Sequence, residues 1–179
     1  IEAGLIAMIR SLSTLVDFSV SWGLVFLVFG VFNILYGNLL ALQQTVIKRM
    51  LAYSSLSHVG YMLLGFGVAL YGGNELGAQG AFFHLLNHMM MKGLAFLAVG
   101  AVMYAVFLQN GSHASLTVGD MAGAARRYPL IAFTLIIALL GLGGLPPLAG
   151  FMSKWQIFIA NFQTENTVIL LLMVFMALN

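Results

Sequence analysis

Two stretches of 21 residues without a charged side chain constrain this sequence more than any other feature. Trp22 to Leu42 contains no Asp, Glu, Lys or Arg, and neither does Met50 to Leu70. A helix of about 20 predominantly apolar residues crosses the hydrocarbon core of a bilayer. The two stretches therefore predict membrane-spanning helices.

The composition points to the same environment. Of the 179 residues, 61% are hydrophobic and 7% are charged, whereas a soluble domain is about 25% charged. The net charge of +2 is too small and too scattered for a nucleic-acid-binding surface. The chain has no cysteine, which excludes thiolate metal sites and disulfides. We therefore predict an integral, multi-pass membrane protein in contact with the lipid bilayer and without a nucleic-acid partner.

Charged residues and loops divide the chain into predicted helices. Residues 1–18 are expected to be the end of a truncated helix, and residues 19–179 to hold the remaining helices. Their expected bounds are about 22–42, 50–70, 80–108, 128–162 and a truncated 166–179. The sequence opens without Met and stops in an apolar run, so we expect a fragment of a longer protein. The predicted fold class is an all-α, polytopic transmembrane bundle with one discontinuous helix.

The discontinuity is predicted at Gly144, Pro146, Pro147 and Gly150. Proline removes a backbone donor and clashes with the preceding helical turn. A broken helix inside a membrane exposes backbone groups, which is tolerated only against protein or a water-filled cavity. Lys154 should then face protein or water. The alternative is a simple proline kink with Lys154 near the lipid headgroups.

His84, His88 and Lys92 recur every fourth residue within a long apolar stretch. On an α-helix they form one file, with a rise of about 6 Å between neighbours. That separation suits one bridging water between side chains. A charged lysine at the bilayer centre costs about 2.5–3.5 kcal/mol on insertion scales, and histidine titrates near neutral pH. The file therefore predicts a proton relay. The alternative is that the histidines bond across helices while Lys92 snorkels to an interface.

Two basic pairs suggest the orientation. Lys48 and Arg49 precede one helix, and Arg126 and Arg127 occur two helices later. Because cytoplasmic loops are rich in Lys and Arg, we assign both segments to the cytoplasmic side. A prokaryotic cell membrane is expected, with an organelle inner membrane as the alternative. A basic pair at a helix start most often anchors that end, but Lys48 is also a candidate for proton transfer.

His58 follows Ser54 by four residues on the same helical face. A local hydrogen bond between these two side chains is therefore the expected state of His58. The sequence contains no nucleotide-binding loop, dinucleotide fingerprint, metal-ligand cluster or nucleophile–base arrangement. We accordingly expect no cofactor and no metal in this chain.

Three motifs in order carry a resemblance to a known family. They are the run Lys48-Arg49-Met50-Leu51-Ala52-Tyr53-Ser54-Ser55-Leu56-Ser57-His58-Val59-Gly60-Tyr61, the helix with His84, His88 and Lys92-Gly93-Leu94, and Gly144-Leu145-Pro146-Pro147-Leu148-Ala149-Gly150-Phe151 followed by Lys154. The chain resembles the proton-conducting membrane subunits shared by respiratory complex I and Mrp-type cation/proton antiporters. The resemblance implies that the fragment covers the second inverted repeat of that family.

The resemblance also implies roles for individual residues. Lys92 corresponds to the central lysine of the second half-channel, which His84 and His88 load with protons. Lys154 corresponds to the residue on the broken helix that passes protons to the far side. Glu2 occupies a position at which the family often has a lysine. This departure bears on the link between the two half-channels, and Glu2 is a further candidate for proton transfer.

The function implied is that of a proton-translocating subunit of a complex I-type NADH:quinone oxidoreductase. Such a subunit couples quinone reduction to proton transfer through buried Lys and His residues and has no redox centre itself. Its partners would be other membrane subunits of the complex, and its substrate protons, with Na⁺ as the alternative. A subunit of an Mrp-type Na⁺/H⁺ antiporter or of a membrane-bound hydrogenase is the alternative function. The buried lysines and histidines argue against a purely structural or receptor-like bundle.

Overall fold

The computed structural model of the protein describes residues 2–15, 20–111, 115–164, 167, 169, 171 and 172. This part of the chain is almost entirely α-helical, and its β-structure is limited to one isolated bridge. The helices are α1 (Glu2–Leu15), α2 (Val20–Leu42), α3 (Ile47–Gly72), α4 (Glu75–Asn110), α5 (Ala124–Arg127), α6 (Pro129–Gly143) and α7 (Ala149–Phe162). The predicted all-α class is confirmed.

Two of the described helices are long and apolar enough to cross a membrane: Ser21–Leu42 in α2, and Glu75–Leu108 in α4. The outward face of α2 is strongly apolar, and Val28, Phe29 and Phe32 on it are 56–60% exposed. Side chains of this kind would be unfavourable in water but suit lipid or a neighbouring membrane helix.

Helices α2 and α3 run antiparallel and pack against each other at glycine residues. A Cβ added to Gly60 would lie 2.6 Å from the carbonyl oxygen of Gly30, and one added to Gly30 would lie 2.9 Å from the Leu64 side chain. The two helix backbones therefore approach more closely than any larger residue would permit. Small residues at such contacts are the usual means by which membrane helices pack, because lipid offers no hydrophobic driving force between them.

Helix α4 is the central element of the bundle, with α3, α6 and α7 packed against it. At 1.5 Å per residue, its 36 residues span about 54 Å. Near its C-terminal half, Ala95 and Val99 pack with Ile47 and Leu51 of α3 and with Leu142 of α6 in one buried cluster. Because three helices meet α4, polar side chains on its inward faces are enclosed by protein.

The predicted discontinuity lies between α6 and α7. Gly144 caps α6 with φ +81°, a left-handed conformation that favours glycine. The N–H of Leu145 donates to the Leu140 carbonyl at 3.2 Å, and the N–H of Gly144 donates to the Gly141 carbonyl at 3.1 Å. This is the Schellman pattern of a helix that has ended. The chain resumes helical structure at Ala149, so the predicted break is confirmed.

A short antiparallel contact joins the start of α3 to the segment after α4. Val46 and Thr117 form the bridge, and the N–H of Val118 donates to the Thr45 carbonyl at 2.9 Å. The Asp120 carboxylate accepts hydrogen bonds from the Thr117 hydroxyl at 2.7 Å and the Thr117 N–H at 2.8 Å. These bonds hold the pKa of Asp120 below its ordinary value.

Candidate functional site

The three residues of the predicted file are buried near the middle of α4. His84 and His88 are 0% and 1% exposed, and Lys92 is 4% exposed. Lys92 lies 17 residues after Glu75 and 18 residues before Asn110, the two ends of the helix. An ionisable group at such a position requires polar partners from neighbouring helices.

Imidazole nitrogens and a hydroxyl form a continuous chain across three helices. Nε2 of His84 lies 3.1 Å from Nδ1 of His58 on α3, and Nδ1 of His84 lies 2.9 Å from Oγ of Ser153 on α7. Both nitrogens of one buried imidazole are therefore hydrogen-bonded, each to a different helix. The ring centroid of His88 lies 4.8 Å from that of His58, so a third imidazole adjoins the chain.

The same heavy-atom positions accommodate two arrangements of the protons. In one, the Ser153 hydroxyl donates to Nδ1 of neutral His84, and Nε2–H of His84 donates to His58. In the other, His58 donates to His84, whose Nδ1–H donates to Ser153. The Ser153 hydroxyl then has the Gly150 carbonyl within reach at 3.2 Å. Converting one arrangement into the other transfers a proton through the imidazole of His84.

Lys92 turns toward α3. Its ammonium group donates a hydrogen bond to the Leu51 carbonyl at 2.7 Å and another to the Ser54 hydroxyl. The Leu51 carbonyl and the Ser54 hydroxyl both belong to the helix that carries His58. Lys92 is thus held inside the bundle, and its side chain does not snorkel outward. His84 does bond across helices, as the alternative interpretation of the histidines required.

Lys154 lies on α7, directly after Ser153. Its Nζ is 4.8 Å from the centroid of the Tyr61 ring, a distance within the range of cation–π attraction. A Cβ added to Gly144 would lie 3.2 Å from Cδ of Lys154, so the lysine stem packs beside the end of α6. The C-terminal end of a helix carries partial negative charge, which stabilises a nearby ammonium group.

A cavity of about 1160 Å³ adjoins these groups. Ser54, His58, Tyr61 and Lys154 contribute to its lining, together with apolar residues of α2, α3 and α6. Its other end reaches the connecting segments at Thr45 and at residues 117–119. The cavity therefore extends from one end of α3 to the lysine on α7.

The remaining predicted residues lie elsewhere. Lys48 is exposed on the first turn of α3, ten residues before His58 and outside the hydrogen-bonded chain. Glu2 is the first residue of α1, and its side chain lies outside the described part of the structure. Proton transfer by either residue stays a prediction. No group of three or more His, Asp or Glu side chains that could hold a metal ion occurs among the described residues.

The prediction for His58 was wrong. Its Nδ1 bonds His84 on another helix, whereas the Ser54 hydroxyl donates to the Leu51 carbonyl of its own helix at 3.0 Å. Sequence reasoning also missed Ser153 and Tyr61. A signal was present, since Ser54, His58 and Tyr61 are spaced by four and three residues and share one face of α3. That polar stripe on α3 faces the file on α4.

Comparison with known proteins identifies the family. The family model described as NADH:quinone oxidoreductase/Mrp antiporter, TM matches residues 1–178. The chain belongs to this transmembrane family. A relative named NADH-quinone oxidoreductase subunit N 2, from Solibacter usitatus, is 42% identical over 131 residues, which cover 73% of this chain and 24% of the relative. The predicted resemblance is therefore confirmed.

Other relatives of this chain are named as subunits of different complexes. Formate hydrogenlyase subunit 3 of Escherichia coli is 32% identical over 153 residues, covering 82% of this chain and 24% of the relative. A solved structure of the Mrp complex from Dietzia sp. DQ12-45-1b has a TM-score of 0.75 and 26% identity, covering 89% of this chain and 28% of the other. The chain thus spans about a quarter of the length of these relatives. The predicted transmembrane helical bundle is confirmed, and the chain belongs to a family of antiporter-like membrane proteins.

Proposed function

We propose that this chain forms part of a proton-translocating membrane subunit of a complex I-type NADH:quinone oxidoreductase. The observation that carries the proposal is the hydrogen-bonded chain Ser153–His84–His58, with Lys92 and Lys154 beside it. A line of groups that each accept and release a proton, enclosed by apolar helices, suits proton transfer better than it suits a packing role.

The arrangement supports a definite path. Lys154 directly follows Ser153, whose hydroxyl is hydrogen-bonded to His84, and His84 is in turn hydrogen-bonded to His58 on α3. The same helix α3 accepts the hydrogen bonds of Lys92, through the Leu51 carbonyl and the Ser54 hydroxyl. His88 lies beside His58 and joins the path there. We propose that protons pass between Lys92 and Lys154 through these imidazoles.

Names of relatives support coupling to quinone reduction. Besides the Solibacter protein, NAD(P)H-quinone oxidoreductase subunit 2 of Thermosynechococcus vestitus is 38% identical over 142 residues. We propose that the chain itself holds no redox centre and that other membrane subunits of the complex bring it under the control of quinone reduction. On this proposal residues 19–179 form the second inverted repeat of the subunit, in a prokaryotic cell membrane.

Membership of an Mrp-type Na⁺/H⁺ antiporter or of a hydrogenase complex is the second candidate. The likeness to the Dietzia Mrp structure and to the E. coli formate hydrogenlyase subunit supports it. Transport measurements on the intact protein in its complex, reconstituted in vesicles, separate the candidates. Quinone-dependent proton uptake without a Na⁺ requirement supports the first proposal, whereas Na⁺-driven proton exchange without an electron donor contradicts it.

The orientation is proposed from the basic pairs. Lys48 and Arg49 at the start of α3, and Arg126 and Arg127 in α5, are all exposed. We propose that the start of α3 and the segment that contains α5 both face the cytoplasm. Single cysteines at Thr45 and Ala122 should resist an impermeant reagent added outside, and one near Asn74 should react. These 179 residues contain no native cysteine, so a label found within them reports the introduced site. If the cysteines at Thr45 and Ala122 reacted while the one near Asn74 was protected, the orientation of the protein in the membrane would be opposite to the one proposed.

A further inference from the structure

Helix α4 carries a second row of side chains, Asn87 and Met91, beside the histidine file. Each precedes a member of the file by one residue, so the row lies on the neighbouring face of the helix. The half-buried Asn87 amide donates through Nδ2 to the carbonyl of Ala149, the first residue of α7, at 2.9 Å. A Cβ added to Gly141 would lie 2.6 Å from the sulfur of Met91, and one added to Gly150 would lie 3.3 Å from its methyl group. The row therefore packs against both sides of the break.

The start of α7 needs this support because the chain before it is not helical. Helix α6 ends at Gly143, and Leu148, at the N-cap of α7, is extended and makes no capping hydrogen bond with its side chain. A continuous helix fixes the rotation of each residue through backbone hydrogen bonds, and that continuity is lost at the break. The rotation of α7 about its axis is therefore set by contacts with its neighbours, above all α4.

The hydrogen bond from Asn87 accompanies the one from His84. His84 lies three residues earlier on α4, and its partner Ser153 lies four residues later than Ala149 on α7. At 1.5 Å per residue the two bonds are about 5 Å apart along the helices. A rotation of α7 by about 30° would move each Cα atom by about 1.2 Å and the side-chain atoms by more. Such a movement is enough to separate Oγ of Ser153 from the imidazole, and the bond from Asn87 opposes it.

The Ala149 carbonyl is also a competitor for the Ser153 hydroxyl. Oγ of Ser153 lies 2.9 Å from Nδ1 of His84, 3.2 Å from the Gly150 carbonyl and 3.4 Å from the Ala149 carbonyl. A carbonyl oxygen has two lone pairs. In α7 one of them accepts the helical N–H, and Asn87 takes the other at the shorter distance of 2.9 Å. The hydroxyl is thereby directed to His84 and Gly150.

We propose that Asn87 is a positioning residue for proton transfer between His84 and Ser153. It fixes the start of α7 and keeps the Ser153 hydroxyl available to the imidazole, but it carries no proton itself, because an amide does not titrate. The consequence for transport rests on the proposed function. The effect of Asn87 on the distance between Ser153 and His84 is measurable whether or not the protein pumps protons.

Two substitutions remove the donor. Asn87→Leu keeps a side chain of similar size, and Asn87→Ala adds no apolar group. In the intact complex, reconstituted in vesicles, both should lower the quinone-dependent pumping rate by about tenfold to hundredfold, since a misplacement of about 1 Å can cost about 10²-fold. The solvent deuterium isotope effect on pumping should rise, because proton transfer becomes the slow step. The matched control is Asn33→Leu, because Nδ2 of Asn33 donates to the Phe29 carbonyl of its own helix at 2.8 Å. It should leave the rate and the isotope effect unchanged.

Two further measurements separate positioning from a general loss of stability. If Asn87 acts through Ser153, the double variant Asn87→Leu/Ser153→Ala should pump no more slowly than Ser153→Ala alone. Cryo-electron microscopy of the Asn87→Leu complex should show Oγ of Ser153 more than about 3.5 Å from Nδ1 of His84, beyond hydrogen-bond distance. The Asn33→Leu complex should keep the wild-type contact.

Three results would overturn the proposal. They are wild-type pumping by both Asn87 variants, independent effects of the Asn87 and Ser153 substitutions, and an unchanged contact between Ser153 and His84 in the Asn87→Leu complex. Failure of the proposed function gives a different result. The wild-type complex would then not pump protons, while the contact would still lengthen in Asn87→Leu and remain intact in Asn33→Leu.

Discussion

Substitution of His58 tests the proposed proton path at its central contact. The side chain is 7% exposed, and its Nδ1 lies 3.1 Å from Nε2 of His84, which is 0% exposed. His58→Asn places an amide where Nδ1 lies, so the hydrogen bond can persist, but an amide does not titrate. His58→Leu removes both properties. Leaving the buried nitrogen of His84 without a partner should lower the free energy of unfolding by about 1–3 kcal/mol.

The two variants should therefore separate stability from transport. A positioned proton-transfer group contributes about 10²–10⁴-fold to the step that it serves, so both variants should lower the proton-pumping rate by about two orders of magnitude. Only His58→Leu should also lower the thermal midpoint of the complex. The assay is quinone-dependent acidification of vesicles that contain the intact complex, with thermal unfolding of the same preparations.

A buried polar residue on the same helix provides the control. Ser55 is 3% exposed, and its hydroxyl donates to the Leu51 carbonyl of its own helix at 3.1 Å. Ser55→Ala should pump protons at the wild-type rate. If His58→Asn pumps as fast as the wild type, then His58 carries no protons and the hydrogen-bonded chain is a packing feature.

Further predictions address the lysine, the break and the loop. Lys92→Met removes the ammonium group that donates hydrogen bonds to α3 but keeps an unbranched side chain. Proton pumping should therefore stop while the complex still assembles. If the variant pumps protons at the wild-type rate, Lys92 is not part of the path. Gly150→Ala drives a methyl group into the Gly141 carbonyl and should lower the thermal midpoint relative to Gly143→Ala, whose methyl meets nothing within 4 Å; equal midpoints would contradict this. The pKa of Asp120 is lower in the folded protein than in the unfolded chain, where it is about 4. The carboxylate therefore stabilises the fold above about pH 4, and this contribution is lost as the pH falls through the lower pKa of the folded protein. Hydrogen exchange at the Thr117 amide, corrected for its intrinsic pH dependence, should rise on acidification in the wild type and stay level in Asp120→Asn; identical profiles would refute the role of that carboxylate.

Local chemistry made the helices and the break predictable. An uncharged stretch of bilayer length forms a helix because every backbone group must be satisfied within the segment. Proline and glycine end a helix through their own backbone geometry, wherever the rest of the chain lies. The break accordingly falls between Gly143 and Ala149, where the motif placed it. The file of His84, His88 and Lys92 was predictable for the same reason, since their spacing alone puts them on one face.

The partners of those side chains were decided by the tertiary structure. His58 and His84 are 26 residues apart in the chain, and His84 and Ser153 are 69 apart. Whether they meet depends on the rotation of α3, α4 and α7 about their axes and on the close approach that glycine permits, and neither quantity is encoded in one helix. The local bond predicted between Ser54 and His58 failed because the histidine ring faces α4 in the packed bundle. A membrane helix specifies its own length and its polar stripe, whereas the hydrogen bonds across stripes follow from how the stripes are brought face to face.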